Sequence, residues 1–307
     1  MIPSKIKKRC NDQSFSSLSW RVIYLVDESR DPLVSIVMPT FNMQDLISES
    51  INSVLSQSYE NWELIIVDDC STDSTAEVVR TYVASDARIT SIRTSKNTNL
   101  PGSARNVGIA LAKGEFIAFL DHDDIWRQIK LERQLRVFSL DKSVDLVHSH
   151  LMSVGGSKFS SLRTMSNPFR RRATKTSLSK SNVIRCSSVI ARASIIRNLG
   201  QFSEDPGLRA VEDFDLWFRV ASVGKIAFIS ENHGRYRITA GGTLSNTDLS
   251  EKLINFDAKN GTQLAGYSRS KARERSVTFF DFPLSVFAYF VDGEFRIRTR
   301  KNPRIWK

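Results

Sequence analysis

The chain has 307 residues, 41% of them hydrophobic and 25% charged; these proportions belong to an ordinary globular protein and exclude disordered, collagenous and small disulfide-stapled classes. Lys and Arg outnumber Asp and Glu by 44 to 33, a net charge of +11 that first suggests nucleic acid or an anionic membrane as partner. The excess is unevenly placed. Residues 1–10 carry four basic and no acidic side chains, 151–200 carry ten and none, and 263–307 carry ten against four, which leaves 20 basic and 29 acidic residues elsewhere. The chain is an acidic body with basic attachments, and no recognised nucleic-acid motif appears.

In chain order, Val34–Met38 is an apolar run stopped by Pro39, as expected of a strand buried on both faces of a parallel sheet. Ile47, Ile51, Val54 and Leu55 then mark one stripe of an amphipathic helix. Glu63–Val67 reads as a second strand, followed by a helix from about Ser74, where Ser74 and Glu77 have capping-box spacing. Ile89–Arg93 is a weaker strand, and Ser103–Lys113 a helix with Gly114 at its C-cap. Glu115–Leu120 is the next strand, Trp126–Ser139 a charged amphipathic helix, and Val144–His148 a strand again. A further strand is expected near Ser187–Ala191, and a helix opening at Glu212. Alternating strands and helices predict an α/β fold of right-handed βαβ units.

In such sheets ligands bind beyond the carboxyl ends of the strands. The polar residues gather there: Thr40 and Asn42 after the first strand, Asp68 and Asp69 after the second, Asp121 and Asp123 after Glu115–Leu120. Carboxylates converging on one crevice raise each other's pKa or recruit a cation. Asp121 and Asp123, two apart in an extended segment, can face one hard divalent ion, Mn2+ or Mg2+, whose open positions suit phosphate oxygens. A helix-capping role for Asp123 or Asp124 is the plainer alternative. Asp68 and Asp69 can accept from a base or ribose, or merely satisfy backbone donors in the turn before Ser74. Arg105 is placed to reach a base or a phosphate. Neither a P-loop nor a dinucleotide fingerprint follows the first strand. Glu212 and Asp213 open a helix after a Gly/Pro-rich loop, where a carboxylate serves either the helix dipole or an incoming hydroxyl.

Four segments, VSIVMPTFN, SVLSQSYENWELIIVDDCSTDST, GSARNVGIALAKGEFIAFLDHDD and EDFDLWFRVA, closely resemble glycosyltransferase family 2 in order and spacing, from about Val34 to Ser245. The resemblance implies a GT-A fold, a Rossmann-like, mixed but mainly parallel sheet with helices on both faces. It divides the chain into a basic N-terminal extension (1–33), a GT-A domain (34–245) with a nucleotide-binding half (34–150) and an acceptor half (151–245), and a small basic and aromatic C-terminal extension (246–307). It also implies inverting transfer of a sugar, expected from a UDP-sugar, to a hydroxyl of a glycan or lipid-linked acceptor in surface-polysaccharide synthesis. By resemblance, Pro39, Thr40, Phe41, Asp68, Asp69, Arg105, Asp121 and Arg237 bind the nucleotide sugar. Asp123 and Asp121 hold the metal, and Asp213 is the general base beside Glu212. Where many members have Tyr-Arg-x-His, this chain has Tyr236-Arg237-Ile238-Thr239, so the resemblance supplies no histidine there. The placement of His233 gives no ground to nominate it as a substitute, and His148 and His150 match no metal position and read as structural or acceptor-side.

Phe169–Asn182 is basic and Ser/Thr-rich and reads as a mobile loop, either simply solvated or attracting an anionic acceptor. Near the C-terminus, Phe279, Phe280, Phe282, Phe287, Tyr289 and Phe290 precede Arg296, Arg298, Arg300, Lys301, Arg304 and Lys307, a pattern that suits either a peripheral contact with anionic membrane or burial of the aromatics. Cys10, Cys70 and Cys186 are odd in number and widely spaced, which suggests neither disulfides nor zinc. The basic N-terminus is followed by the polar stretch NDQSFSSLSW rather than by a signal core, and no run reaches the length of a spanning helix. A cytoplasmic location, at the inner face of the plasma membrane, is expected. The competing readings are a catalytically inactive scaffold of the same fold, against which Asp121, Asp123, Glu212 and Asp213 argue, and a nucleic-acid-binding protein.

Overall fold

The first strand, β1 (Val34–Thr40), is buried at every residue and pairs in parallel with β2 (Trp62–Asp68) and β4 (Phe116–Phe119) on either side. Continuous apolar runs of this kind suit strands covered on both faces. At the sheet edge, β3 (Ile89–Arg93) is accordingly buried only at Ile89. Helices α1 (Ile47–Leu55), α2 (Thr75–Ser85) and α3 (Pro101–Leu111) make the crossovers. The computed structural model describes residues 31–155, 173–179, 181–238 and 251–262, with the backbone of 249–250, 286–291 and 294–299.

Four more strands complete the sheet: β5 (Ile125–Trp126), β6 (Leu146–Val154), β7 (Ile190–Arg192) and β8 (Ile226–Arg237). The order across it is β3-β2-β1-β4-β7-β6-β8-β5. The short β7 runs antiparallel to both its neighbours, β4 and β6. Two reversals restore direction, so β6 and its parallel partner β8 point the same way as β1. The carboxyl ends of β1, β2, β4, β6 and β8 therefore lie on one edge. This is the mixed, mainly parallel sheet expected. Helices α4 (Lys130–Leu140), α5 (Lys175–Leu178), α6 (Ala193–Asn198), α7 (Glu212–Val223) and α8 (Leu249–Asn260) complete the described helices, and β9 (Val286–Val291) and β10 (Glu294–Thr299) form a separate antiparallel pair.

Side chains alternate across β1, so Ile36 and Met38 enter one apolar core with Trp62, Leu64 and Leu131, while Val37 enters another with Phe119, Phe214 and Trp217. Each such side chain, fully buried, contributes about 1.5–3 kcal/mol. Phe202 meets Phe119 edge-on at 5.1 Å and Trp217 at 6.0 Å, which ties α7 to the middle of the sheet. Helix α3 lies so close to β1 that a Cβ at Gly108 would stand 2.5 Å from Val37 Cγ1; only glycine permits that approach.

Several local expectations are corrected. Gly114 is not a left-handed cap: α3 ends with Ala112 as C-cap, and a Cβ at Gly114 would lie 2.6 Å from the Leu33 carbonyl, so close packing is what glycine serves there. Ser74 caps α2 without a side-chain bond; Asp73 Oδ1 accepts from Thr75 N instead, at 3.0 Å. The helix expected from Trp126 begins at Lys130, because Ile125 and Trp126 pair with Arg235 and Gly234 of β8. Lys130 is wholly buried, its Nζ donating to Gln134 Oε1 at 2.6 Å, and burial drives its pKa well down. The stretch expected as a mobile loop holds, over its described part, a helical turn with a capping box at Thr174 and a buried Leu178.

Candidate active site

The loops after β1 and β2 are stitched together. Asn42 N donates to Ser71 Oγ at 3.0 Å, and Thr72 N to Asn42 Oδ1 at 2.7 Å. Asp68 accepts from Ser71 N (2.9 Å) and Arg93 (3.3 Å). Asp69, 6% exposed, accepts from the Thr98 hydroxyl and amide, from Asn99 N and from Thr94 Oγ1. Asp68 thus holds the turn at Ser71 and Asp69 shapes the 94–99 loop, the local-donor role that the sequence offered beside nucleotide binding. Beside them Pro39 and Thr40 are buried and Phe41 is 39% exposed at the mouth. Thr40 Oγ1 is buried without a hydrogen-bond partner among the described residues.

Asp121, His122 and Asp123 follow β4. Asp121 N donates to Ser187 Oγ at 3.0 Å, and Ser50 Oγ on α1 to the His122 carbonyl at 2.8 Å, so the triplet is held from both sides. Burial and the neighbouring Asp121 raise the Asp123 carboxyl, with His122 opposing, and burial keeps the His122 imidazole neutral. Asp124 is fully buried and accepts from Arg237 N at 2.9 Å; burial, then Asp121 and Asp123, push its pKa well up. It caps no helix. Asp124 instead fastens the end of β8, where the Arg237 guanidinium reaches Glu49 Oε2 at 3.0 Å.

Arg105, 5% exposed, joins the two acidic segments. One terminal nitrogen donates to Asp121 Oδ1 at 2.6 Å and the other to Glu212 Oε1 at 3.0 Å. Burial works against this cation, but Cys186, Asp121 and Glu212 outweigh it and raise its pKa well above the ordinary value. Since burial keeps the Cys186 thiol protonated, the two carboxylates are the effective partners at neutral pH. Glu212 Oε2 is buried with no partner among the described residues. Next to it, burial and the Glu212 charge push the Asp213 carboxyl up to about 7, with Arg105 opposing. A carboxyl poised there exchanges protons near neutrality.

Thus Asp121, Arg105, Glu212 and Asp213 meet in one cluster, while Asp123 and Arg237 stand along the same edge. Thr239 lies outside the described residues. His233 is buried beside Glu231, and His148 is buried in β6 with its ring 4.9 Å from that of Phe228. Glu49, Arg93, Ser187 and Cys186 belong to the surroundings of the site but carry no sequence signal, because their partners are tens of residues away. Among the described residues no group of three or more His, Cys, Asp or Glu side chains is arranged to hold a metal ion. The donor set available is the Asp121–Asp123 pair. One or two carboxylates fit a hard divalent ion that takes its other ligands from phosphate and water, and a cation would relieve the unfavourable ionisation of Asp123. No helix among the described residues is long and apolar enough to cross a membrane.

Comparison with known proteins identifies the family and the fold. Residues 35–200 match the family model described as glycosyl transferase family 2. A Bacillus subtilis (strain 168) protein assigned to teichuronic acid biosynthesis as the glycosyltransferase TuaG is 32% identical over 218 residues, 70% of this chain and 82% of its own length. The Escherichia coli UDP-Glc:alpha-D-GlcNAc-diphosphoundecaprenol beta-1,3-glucosyltransferase WfgD is 49% identical over 105 residues, 34% of this chain and 40% of WfgD. Among solved structures, S. aureus TarS (1–349) in complex with UDP-GlcNAc superposes with a TM-score of 0.61 at 21% identity, covering 80% of this chain and 73% of that one. The mannosyltransferase PcManGT from Pyrobaculum calidifontis, in complex with GDP-Man and Mn2+, gives 0.60 at 16% identity, covering 82% and 77%. The fold is therefore GT-A, and the chain belongs to glycosyltransferase family 2.

Proposed function

We propose that the protein transfers a hexosyl or N-acetylhexosaminyl group, with inversion, from a nucleotide diphosphate sugar to a hydroxyl of a glycan or lipid-linked acceptor in bacterial surface-polysaccharide synthesis. The observation that carries this reading is the Asp121–Arg105–Glu212 bridge, which brings the Asp-x-Asp segment and the Glu-Asp pair to one site. The names of WfgD and TuaG support the polysaccharide role, and the UDP-GlcNAc bound by TarS supports a UDP-sugar donor.

In this mechanism Asp213 accepts the proton of the acceptor hydroxyl as its oxygen attacks the anomeric carbon. The bond from that carbon to the diphosphate oxygen breaks on the opposite face, and the electron pair leaves with the nucleoside diphosphate. Glu212, held by Arg105, keeps the base in its half-buried setting and offers Oε2 to a substrate hydroxyl. Asp121 and Asp123 would hold Mn2+ or Mg2+, which when bound neutralises charge on the departing diphosphate. Phe41, Thr40 and Pro39 line the nucleoside side, and Arg237 faces the phosphates. Transfer at the cytoplasmic face of the membrane suits a lipid-linked acceptor. The test is a stability screen of UDP-, dTDP- and GDP-sugars with Mn2+. A ligand bound by the folded state alone at 100 times its Kd raises stability by about 2.7 kcal/mol. Stabilisation by one nucleotide class is the expected outcome, and none by any would overturn the reading.

A further inference from the structure

Helix α8 follows the residues that resemble the family and lies outside the stretch matched by the family model, yet it grips the chain on both sides of the Glu-Asp pair. Downstream of the pair, Phe256 is fully buried, stacked on Phe214 at 4.4 Å and edge-on to Phe218 at 5.7 Å. Lys259 Nζ and Asn260 Nδ2 each reach Asp215 Oδ1 at 3.2 Å, and Asp215 has no exposed surface. Upstream, Asn255 Nδ2 donates to the Gly207 carbonyl at 3.0 Å and Lys252 Nζ to the Pro206 carbonyl at 3.1 Å. The two gripped points, the 3-10 turn Pro206–Leu208 and the first turn of α7, are joined through Ala210, whose φ of 74° is left-handed. For a residue with a Cβ that conformation is costly and persists only where the surroundings hold it.

We propose that α8 is the positioning element of the Glu212–Asp213 pair, clamping the turn before it and the helix after it so that the Asp213 carboxyl faces the substrate. The proposal rests on Asp213 being the base. The packing of Phe256 alone would serve stability. The polar bonds from Asn255 and Lys259, one to each side of the pair, are what a clamp adds.

The experiment uses the full chain with Asn255→Ala, Lys259→Met and Phe256→Leu, the last keeping an apolar side chain in the stack. Turnover of UDP-glucose, UDP-N-acetylglucosamine and GDP-mannose, with water taking the sugar in place of the acceptor hydroxyl, is read as released nucleoside diphosphate across pH 5–9, and calorimetry reads the binding of UDP with Mn2+. Small displacements of a catalytic group cost rate rather than donor affinity, so Asn255→Ala and Lys259→Met are expected to lose about tenfold in kcat. Their KM and UDP affinity stay within about twofold of wild type, and the acid limb of the pH profile moves, as misplacement of a base requires. Phe256→Leu should keep most of kcat. Unchanged kcat and pH profile in the polar variants would overturn the clamp, as would kcat, KM and UDP affinity worsening together, which is general loss of structure. Asp213→Asn is run alongside. Full turnover by it would remove the base and the clamp with it, whereas an inactive Asp213→Asn beside fully active α8 variants would overturn the clamp alone.

Discussion

Replacing Asp213 with Asn should abolish transfer and, above neutral pH, make the protein more stable. The rise of the carboxyl from 3.8 to about 7 means that ionising it in the folded state costs up to about 4 kcal/mol more than in the unfolded chain. Asp213 keeps some contact with solvent, so that figure is a ceiling. The folded value lies above the unfolded one; the stabilisation from the neutral form is therefore complete below about pH 4 and is lost as pH rises through about 7. Asn stays neutral throughout and keeps the Oδ1 acceptor that Asp213 offers to Phe214 N at 2.6 Å. Between pH 5 and pH 8 the stability gap in favour of the variant should widen by up to about 3 kcal/mol, the part of the shift inside that window. Urea unfolding of both proteins at the two pH values measures the gap, and nucleoside diphosphate release measures turnover. A gap that does not change with pH would refute the burial argument, and wild-type turnover by the variant would refute the base assignment.

Three further outcomes follow from the packing. Arg105→Met leaves Asp121 and Glu212 without their cation in a buried setting, and urea unfolding should show a loss of about 3–5 kcal/mol at pH 8. Asp123→Asn should remove most of the Mn2+-dependent increment in UDP binding while leaving the melting temperature without ligand nearly unchanged, since the variant keeps the side-chain volume and loses only a charge that burial already disfavours; calorimetry with and without Mn2+ checks both. Gly108→Ala drives a methyl group into Val37 and should cost about 1–3 kcal/mol through the shift forced on α3, read by thermal unfolding.

What the sequence reveals and what it hides divide along the distance between partners. The runs Val34–Met38 and Glu63–Val67 identify β1 and β2 because burial on both faces leaves a local trace. Ile125 and Trp126 sit before a helical stripe but are strand, a choice made by Arg235 and Gly234 on β8 that no window around Trp126 contains. The edge on which Asp68, Asp69, Asp121 and Asp123 gather follows from strand alternation alone, whereas Glu212, at the start of a helix, becomes legible as a candidate only through the family resemblance. The common anchor of Asp121 and Glu212 is less so: Arg105 reads as a base or phosphate contact, while its two terminal nitrogens are committed to carboxylates. Asp68 and Asp69 carry the family pattern in sequence and are occupied by local donors in space. The docking of α8 through Phe256 has no counterpart in the sequence reading, since a single Phe in a charged helix of twelve residues gives no pattern.

The reversed strand β7 has a consequence for how such a molecule can be altered. Because β7 is antiparallel to β6, the chain leaves β6 at Val154 and enters β7 at Ile190 on the edge where the acidic residues stand. The described residues between them nevertheless reach into the molecule: Ala173, Leu178, Ile184, Cys186 and Val189 are buried in the core that holds Val37, Phe119 and Trp217. The turn Cys186–Ser188 is tied to the site as well, since Ser187 Oγ receives the Asp121 amide and the Ser187 carbonyl receives Trp126 Nε1 at 2.7 Å. A graft here would therefore have to return apolar side chains to those five positions and keep the Ser187 turn if the frame and the acidic cluster are to stay as they are.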